Sequence, residues 1–301
     1  MDRNSVIGLT LIAVMLLVYF NFLAPDPEPP KAAPAEATTE IVAKDSALSE
    51  RKDLQIDSLS RSNYGSLSSF LSGNEELTTV ENADLKIKLS NQGRIEEVEL
   101  KNFKTYSQTP LYLAQKENNR FSLIGNYEGK DVDLYKLFYK VSQTKKSDTT
   151  QLVFTAKTSD GFIKHIYSIP PSGYQIGYEV QTSGINLGSK NLTYRWHDAI
   201  PLQEKAIADS RTKTNLNYYF TNGDYDYTSQ TATELKSEVL VTPVKWVSIR
   251  QKFFISSIIA KNSFAGGEIQ IFANENDPQV VKVADLELYI PVEDVASKKA
   301  A

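Results

Sequence analysis

The chain has no cysteine. That excludes a disulfide scaffold, a thiolate metal site, a cysteine nucleophile and a lipid anchor attached through cysteine. Histidine is almost as scarce, so imidazole chemistry is confined to His165 and His197. Neither sign of charge dominates: 33 Lys and Arg stand against 37 Asp and Glu, a net charge of -4. That balance offers no basis for nucleic-acid binding. A Gly-rich phosphate loop and a Ser nucleophile elbow are both lacking. So is any repeat period of the solenoid or propeller kind. Long apolar runs are limited to one, Val6 to Leu23.

That run is interrupted only mildly, by Gly8, Thr10 and Asn21. As a helix of about 18 residues it reaches roughly 27 Å, close to a hydrocarbon core of about 30 Å. Tyr19, Phe20 and Phe22 stand at its far end, where an aromatic belt would lie. Arg3 precedes the run and the next cation is Lys31, a bias that places the amino terminus in the cytoplasm. A cleaved signal peptide is the competing reading. It needs small residues at the boundary. Phe22 is bulky there, and Pro25 follows Ala24. An uncleaved signal anchor is therefore preferred.

Composition then changes abruptly. Pro25, Pro27, Pro29, Pro30 and Pro34 alternate with Ala, Glu and Thr, a mixture that cannot bury a core. From Asp45 to Gly73 the chain is richer in Ser and Leu, with Leu67, Phe70 and Leu71 as the apolar side of a loose helix. As coil, the stretch Ala24–Thr79 has a mean reach of about 40 Å. The expected organisation is an anchor over 1–23, a disordered linker over 24–79 and a β domain over 80–301.

The β class follows from period-two alternation. Leu85, Ile87 and Leu89 face one way and Lys86 and Lys88 the other; Asn91-Gln92-Gly93 turns the chain into Ile95–Leu100. Leu152, Phe154 and Ala156 alternate up to the Ser159-Asp160-Gly161 turn, and Phe162–Ile169 returns. Alternation resumes at Tyr174, Ile176, Tyr178 and Val180, then at Leu192, Tyr194 and Trp196. Further strands are expected at Val239–Thr242, Phe253–Ala260, Glu268–Phe272 and Leu286–Ile290. Leu134–Val141 and Pro201–Ala208 fit helix as well as strand. Many short strands at even spacing imply a large antiparallel β-sandwich.

Candidate chemistry is thin. His197-Asp198 invites an acid–base reading, but neighbours in a strand point to opposite faces. His165 sits mid-strand. Structural roles are preferred for both histidines. Asn222 to Thr228 places oxygen side chains at alternate positions, yet lacks the later glycine and the closing Glu of a calcium loop. A solvated tyrosine-rich turn is preferred there. Glu96-Glu97 reads as plain charged surface. The segment Lys245–Phe254 combines Trp246, Phe253 and Phe254 with cations, as an apolar partner contact would. Core packing of the same aromatics is the plainer reading. No catalytic residue, cofactor or metal ligand is assigned, and the chain is not read as an enzyme.

Several motifs now align in order. Met1-Asp2-Arg3-Asn4 precedes the anchor and the Pro-rich linker follows it. Asn82-Ala83-Asp84-Leu85-Lys86-Ile87 leads into Asn91-Gln92-Gly93-Arg94-Ile95. Asp160-Gly161, Ser168-Ile169-Pro170 and Tyr174-Gln175-Ile176 come next, then Lys245-Trp246-Val247-Ser248-Ile249-Arg250-Gln251-Lys252-Phe253-Phe254. Together they resemble the amino-terminal part of the YidC-type bacterial membrane protein insertases, over essentially the whole chain. The resemblance implies a β-supersandwich periplasmic domain, akin in fold to sugar mutarotases and carbohydrate-binding domains. It implies association with the Sec translocon through SecDF, action on nascent membrane proteins, an inner-membrane location and no cofactor.

The family's insertase core is a bundle of five further transmembrane helices with a polar groove and a buried arginine. This sequence offers no counterpart to them, nor to the helix joining the β domain to the bilayer. The expectation is therefore a portion of a longer protein, with a naturally split subunit as the alternative. A sugar-binding or mutarotase-like sandwich and a purely structural anchored scaffold are the competing functions.

Overall fold

The computed structural model describes residues 61–295. The expected span Val6–Leu23 and most of the linker lie outside those residues. Among the described residues no helix is long and apolar enough to cross a membrane.

The described chain is mainly β, and all its strand pairs are antiparallel. Strands β1 (Leu77–Glu81), β2 (Leu85–Ser90), β3 (Ile95–Lys104) and β4 (Pro110–Gln115) make a first sheet in chain order. Strands β5 (Asn119–Tyr127) and β6 (Lys130–Asp133) then leave it. A second sheet is the meander β7 (Lys140–Lys146), β8 (Thr149–Lys157), β9 (Phe162–Ile169) and β10 (Gly177–Ser183).

The remaining strands are β11 (Asn191–Pro201), β12 (Asn215–Phe220), β13 (Tyr225–Tyr227), β14 (Lys236–Leu240), β15 (Val244–Arg250), β16 (Ile255–Phe264), β17 (Gly267–Phe272) and β18 (Val280–Pro291). They complete a third sheet in the order β14-β17-β18-β11-β5-β6 and a fourth in the order β13-β12-β15-β16. The third sheet is the one whose order the sequence conceals. Its central strand β11 pairs β18 on one side and β5 on the other.

Alternation decides the layers. Leu85, Ile87 and Leu89 of β2 share one core with Leu152, Phe154 and Ala156 of β8, and with Leu123 and Leu192 of the third sheet. Trp196, Leu286 and Leu288 share another with Leu216 and Tyr218 of β12 and Val247 and Ile249 of β15. Phe121, Tyr194 and Ile290 pack against both cores and join them.

Strand order begins at Leu77, ahead of the alternation read at Val80. Residues further upstream also pack. A 3-10 turn over Gly65–Phe70 sinks Leu67 completely into the first core, with Phe70 and Leu71 against its edge. Burying one leucine contributes on the order of 1.5–3 kcal/mol, enough to hold a short turn with no side-chain cap. The strand read from Tyr174 starts later, at Gly177. Asn82 Nδ2 donates to the Pro170 and Gly173 carbonyls at 3.2 and 2.9 Å, which holds that stretch as a turn. The two ambiguous segments are mixed. Leu134–Lys136 is a 3-10 turn capped by Asp133, and Ile207–Arg211 is a short helix, α1.

Candidate functional site

The segment Lys245–Phe254 does not gather its aromatics at one point. Trp246 lies in β15 on the outward face of the fourth sheet. Its ring stacks on Tyr219 of β12 at 5.8 Å with planes 10° apart, and Tyr225 of β13 stands 6.0 Å away. Phe253 falls on the connection after β15 and is 64% exposed, with Lys252 Nζ 4.9 Å over its ring. Phe254 turns the other way. It meets Phe103 edge-on at 5.4 Å and packs against the first core. The plainer reading thus applies to Phe254, while Trp246 and Phe253 stay outside both cores. The recess beside Phe253 and Phe254 holds about 10 Å³, room for no more than a single water.

His165 is sealed in the first core. Its Nδ1 is 2.7 Å from the Tyr178 hydroxyl, and the Tyr139 ring stands edge-on at 4.7 Å. Burial pushes its pKa down to about 3, so the ring is neutral in the fold. His197 and Asp198 part company, as strand geometry requires. His197 Nδ1 pairs with Asp285 Oδ1 at 2.6 Å on the outward face of the third sheet. Asp198 is buried with neither carboxylate oxygen hydrogen-bonded, and burial pushes its carboxyl up to about 7. The Asn119 amide beside it opposes that shift but falls outside hydrogen-bond geometry.

Glu96 departs from the expectation of plain surface. The β2–β3 register shifts there, so no β2 residue stands opposite it. The carboxylate is buried, held by Arg94 through Nε and Nη2, both at 2.7 Å. Glu97 does stay at the surface, paired with Lys88 at 2.9 Å. In the tyrosine-rich turn Asn222 Oδ1 accepts from the Asp224 amide at 3.1 Å, which shapes the turn itself. No group of three ligating side chains that could hold a metal ion gathers among the described residues.

One concavity forms where sequence reasoning does not find it. The outward face of the third sheet carries Arg120 from β5, Arg195 and His197 from β11, Asp285 and Glu287 from β18, and Glu268 and Gln270 from β17. They line an open cleft of about 390 Å³. Several of its polar groups engage one another. Arg195 Nε donates to Glu287 Oε2 at 2.7 Å, and Gln270 Nε2 to Asp285 Oδ2 at 3.3 Å. The available signal is charged residues two apart on strands whose alternate positions are apolar. That marks a polar face, but not which polar faces meet.

A family model described as YidC periplasmic domain matches residues 77–300. The chain belongs to the YidC periplasmic-domain family. The match takes in the whole β architecture from β1 onward. Among curated relatives, the membrane protein insertase YidC of Cytophaga hutchinsonii is 31% identical over 321 residues, covering 100% of this chain and 51% of that protein. The YidC insertases of Amoebophilus asiaticus and Porphyromonas gingivalis are 24% and 29% identical, covering 94% and 89% of the chain and 48% and 45% of their own lengths. The chain therefore spans about half the length of these YidC relatives. The resemblance carried by Asn82–Ile95 and Lys245–Phe254 is borne out by these matches.

Proposed function

We propose that this chain is the periplasmic part of a membrane protein insertase, assisting insertion and folding of integral membrane proteins. One observation carries the reading: the match to the Cytophaga insertase takes in all of this chain. In this reading Val6–Leu23 anchors the chain in the bacterial inner membrane with the amino terminus cytoplasmic. The β domain stands in the periplasm as a β-supersandwich, supported by two cores that share Phe121, Tyr194 and Ile290. The partners are nascent membrane proteins and the Sec translocon through SecDF. Of the three aromatics expected at a partner contact, Trp246 and Phe253 remain available. The mutarotase-like alternative is not favoured, because the relatives named above are insertases and Asp285 and Glu287 beside His197 are already engaged.

The test is photo-crosslinking in cells from a probe at exposed Phe253, with adducts identified by mass spectrometry. A translocon subunit or a nascent membrane protein is the expected adduct. Clean recovery of uncrosslinked chain during active membrane-protein synthesis overturns the reading.

A further inference from the structure

The outward face of the fourth sheet carries a row that no single stretch of sequence displays. Tyr225 pairs with Tyr219, Tyr219 with Trp246, and Trp246 with Ile259, so one line of large side chains crosses all four strands. Its ends are open: Tyr225 is 54% exposed and Ile259 is 60% exposed. Four strands at roughly 4.8 Å spacing make that row about 14 Å long. It is a flat platform on a sheet face rather than a walled groove.

Charge on this sheet is one-sided. Its four strands contain Lys245, Arg250 and Lys261 but a single carboxylate, Asp226. Asp226 pairs with Tyr218, whose ring belongs to the second core, so it takes the opposite face from Tyr225, exposed at the sheet edge. Val247 and Ile249 of β15 point into that core, which leaves Trp246 and Arg250 outward. Ile258 and Ala260 of β16 pack inward as well, which leaves Ile259 and Lys261 outward. The outward strand residues therefore combine Arg250 and Lys261 with aromatic, aliphatic and neutral polar groups and no carboxylate, while Asp224 lies in the turn at the Tyr225 end of the row.

We propose that this face docks on the surface of an anionic phospholipid bilayer. Tyr and Trp pair an apolar body with a polar tip, and they settle where one end is apolar and the other wet. Arg and Lys lay their stems along such a surface and set their charge among phosphates. A planar row suits a planar surface, and no outward strand position adds a carboxylate to oppose it. The docking assigns Trp246 to lipid, whereas the proposed insertase role is tested at Phe253, on the connection after β15.

The full chain reconstituted into vesicles of phosphatidylcholine and phosphatidylglycerol with brominated acyl chains tests this. Residues outside the described part can hold the chain on the vesicle, so the readout is local: quenching of Trp246. The other tryptophan, Trp196, is buried with its indole donating to Asn119 at 2.8 Å, and it reports on the fold. Quenching in anionic vesicles that is lost in Trp246→Phe is expected. Arg250→Gln with Lys261→Gln lowers the ratio of docked to free face about 30-fold, at about fivefold per cation. Salt at about 0.5 M does the same.

Absence of Trp246 quenching in anionic vesicles overturns the proposal. So does quenching that is equal in phosphatidylcholine alone and indifferent to the double substitution. A Trp246 emission shift that follows protein concentration without lipid reports a second copy on the face, and overturns it too. None of these outcomes bears on the adducts formed at Phe253.

Discussion

His197 and Asp198 are consecutive in β11, yet His197 pairs with Asp285 in the polar cleft while Asp198 is sealed in the interior at 1% exposure. The two side chains share a peptide bond and no environment. Half a pleat separates a hydrogen-bonded side-chain pair in the cleft from a carboxylate without a hydrogen-bond partner.

Asp198 makes stability depend on pH. Its carboxyl is raised from 3.8 to about 7 by burial, so the fold holds a proton that the unfolded chain releases. Stability from this group is fully present below about 4 and is lost as pH rises towards 7. Asp198→Asn removes that loss. Urea unfolding followed by near-ultraviolet circular dichroism should show the variant more stable than the parent at pH 8, by an amount on the order of 2–4 kcal/mol. Equal midpoints at pH 8 would show that Asp198 stays ionised at no cost.

His165 pulls the other way. Its pKa falls from 6.5 to about 3, so the unfolded chain binds the proton in that window. This contribution to stability rises with pH from about 3 to 6.5. The two slopes offset one another between about pH 4 and 6.5, and the parent should be nearly flat there. Asp198→Asn exposes the rising slope of His165. His165→Phe, which leaves the Tyr178 hydroxyl with Tyr135 at 2.9 Å, exposes the falling slope of Asp198. A rising slope in both variants would contradict the assignment.

Leu67 tests how far the fold extends ahead of β1. It is fully buried in the first core from a 3-10 turn upstream of Leu77. Leu67→Ala should lower stability by about 2–5 kcal/mol, the cost of a core cavity. A change within about 0.5 kcal/mol would mean that this turn does not pack on the β domain in solution.

Gly161 and Gly184 approach each other where the β8–β9 turn meets the end of β10. A Cβ on Gly161 would collide with the Ser183 carbonyl, and one on Gly184 with the Asp160 carbonyl. Gly184 also has φ of +70°. Gly161→Ala should cost more than Gly129→Ala, whose added Cβ meets nothing within 4 Å, even though Gly129 has φ of +79°. Thermal unfolding of the two variants ranks them, and the reverse order would show that the crossing relaxes without strain.

Short-range pattern carried much of this protein. The hairpin through Asn91-Gln92-Gly93 and the one through Ser159-Asp160-Gly161 were legible because a strand writes its buried face at every second residue and its turns in Gly, Asn and Asp. The same pattern blurred where turns were pinned from afar. Tyr174 and Ile176 alternate like a strand, yet Asn82, on the connection between β1 and β2, binds the Pro170 and Gly173 carbonyls. Glu96 read as surface because its burial depends on a register shift against β2 and on the Arg94 side chain.

By itself the sequence determined the β class, the two clearest hairpins, the scarcity of acid–base and ligating groups, and the ordered motifs that resemble the YidC family. Each of those is local or additive along the chain. Tertiary structure alone decided which strands meet. The order β17-β18-β11-β5 assembles the polar cleft from four separate stretches, and the order β13-β12-β15-β16 aligns Tyr225, Tyr219, Trp246 and Ile259. The physical reason is that alternation tells a side chain which face to take, while only the packing of both cores tells a strand which neighbour to take.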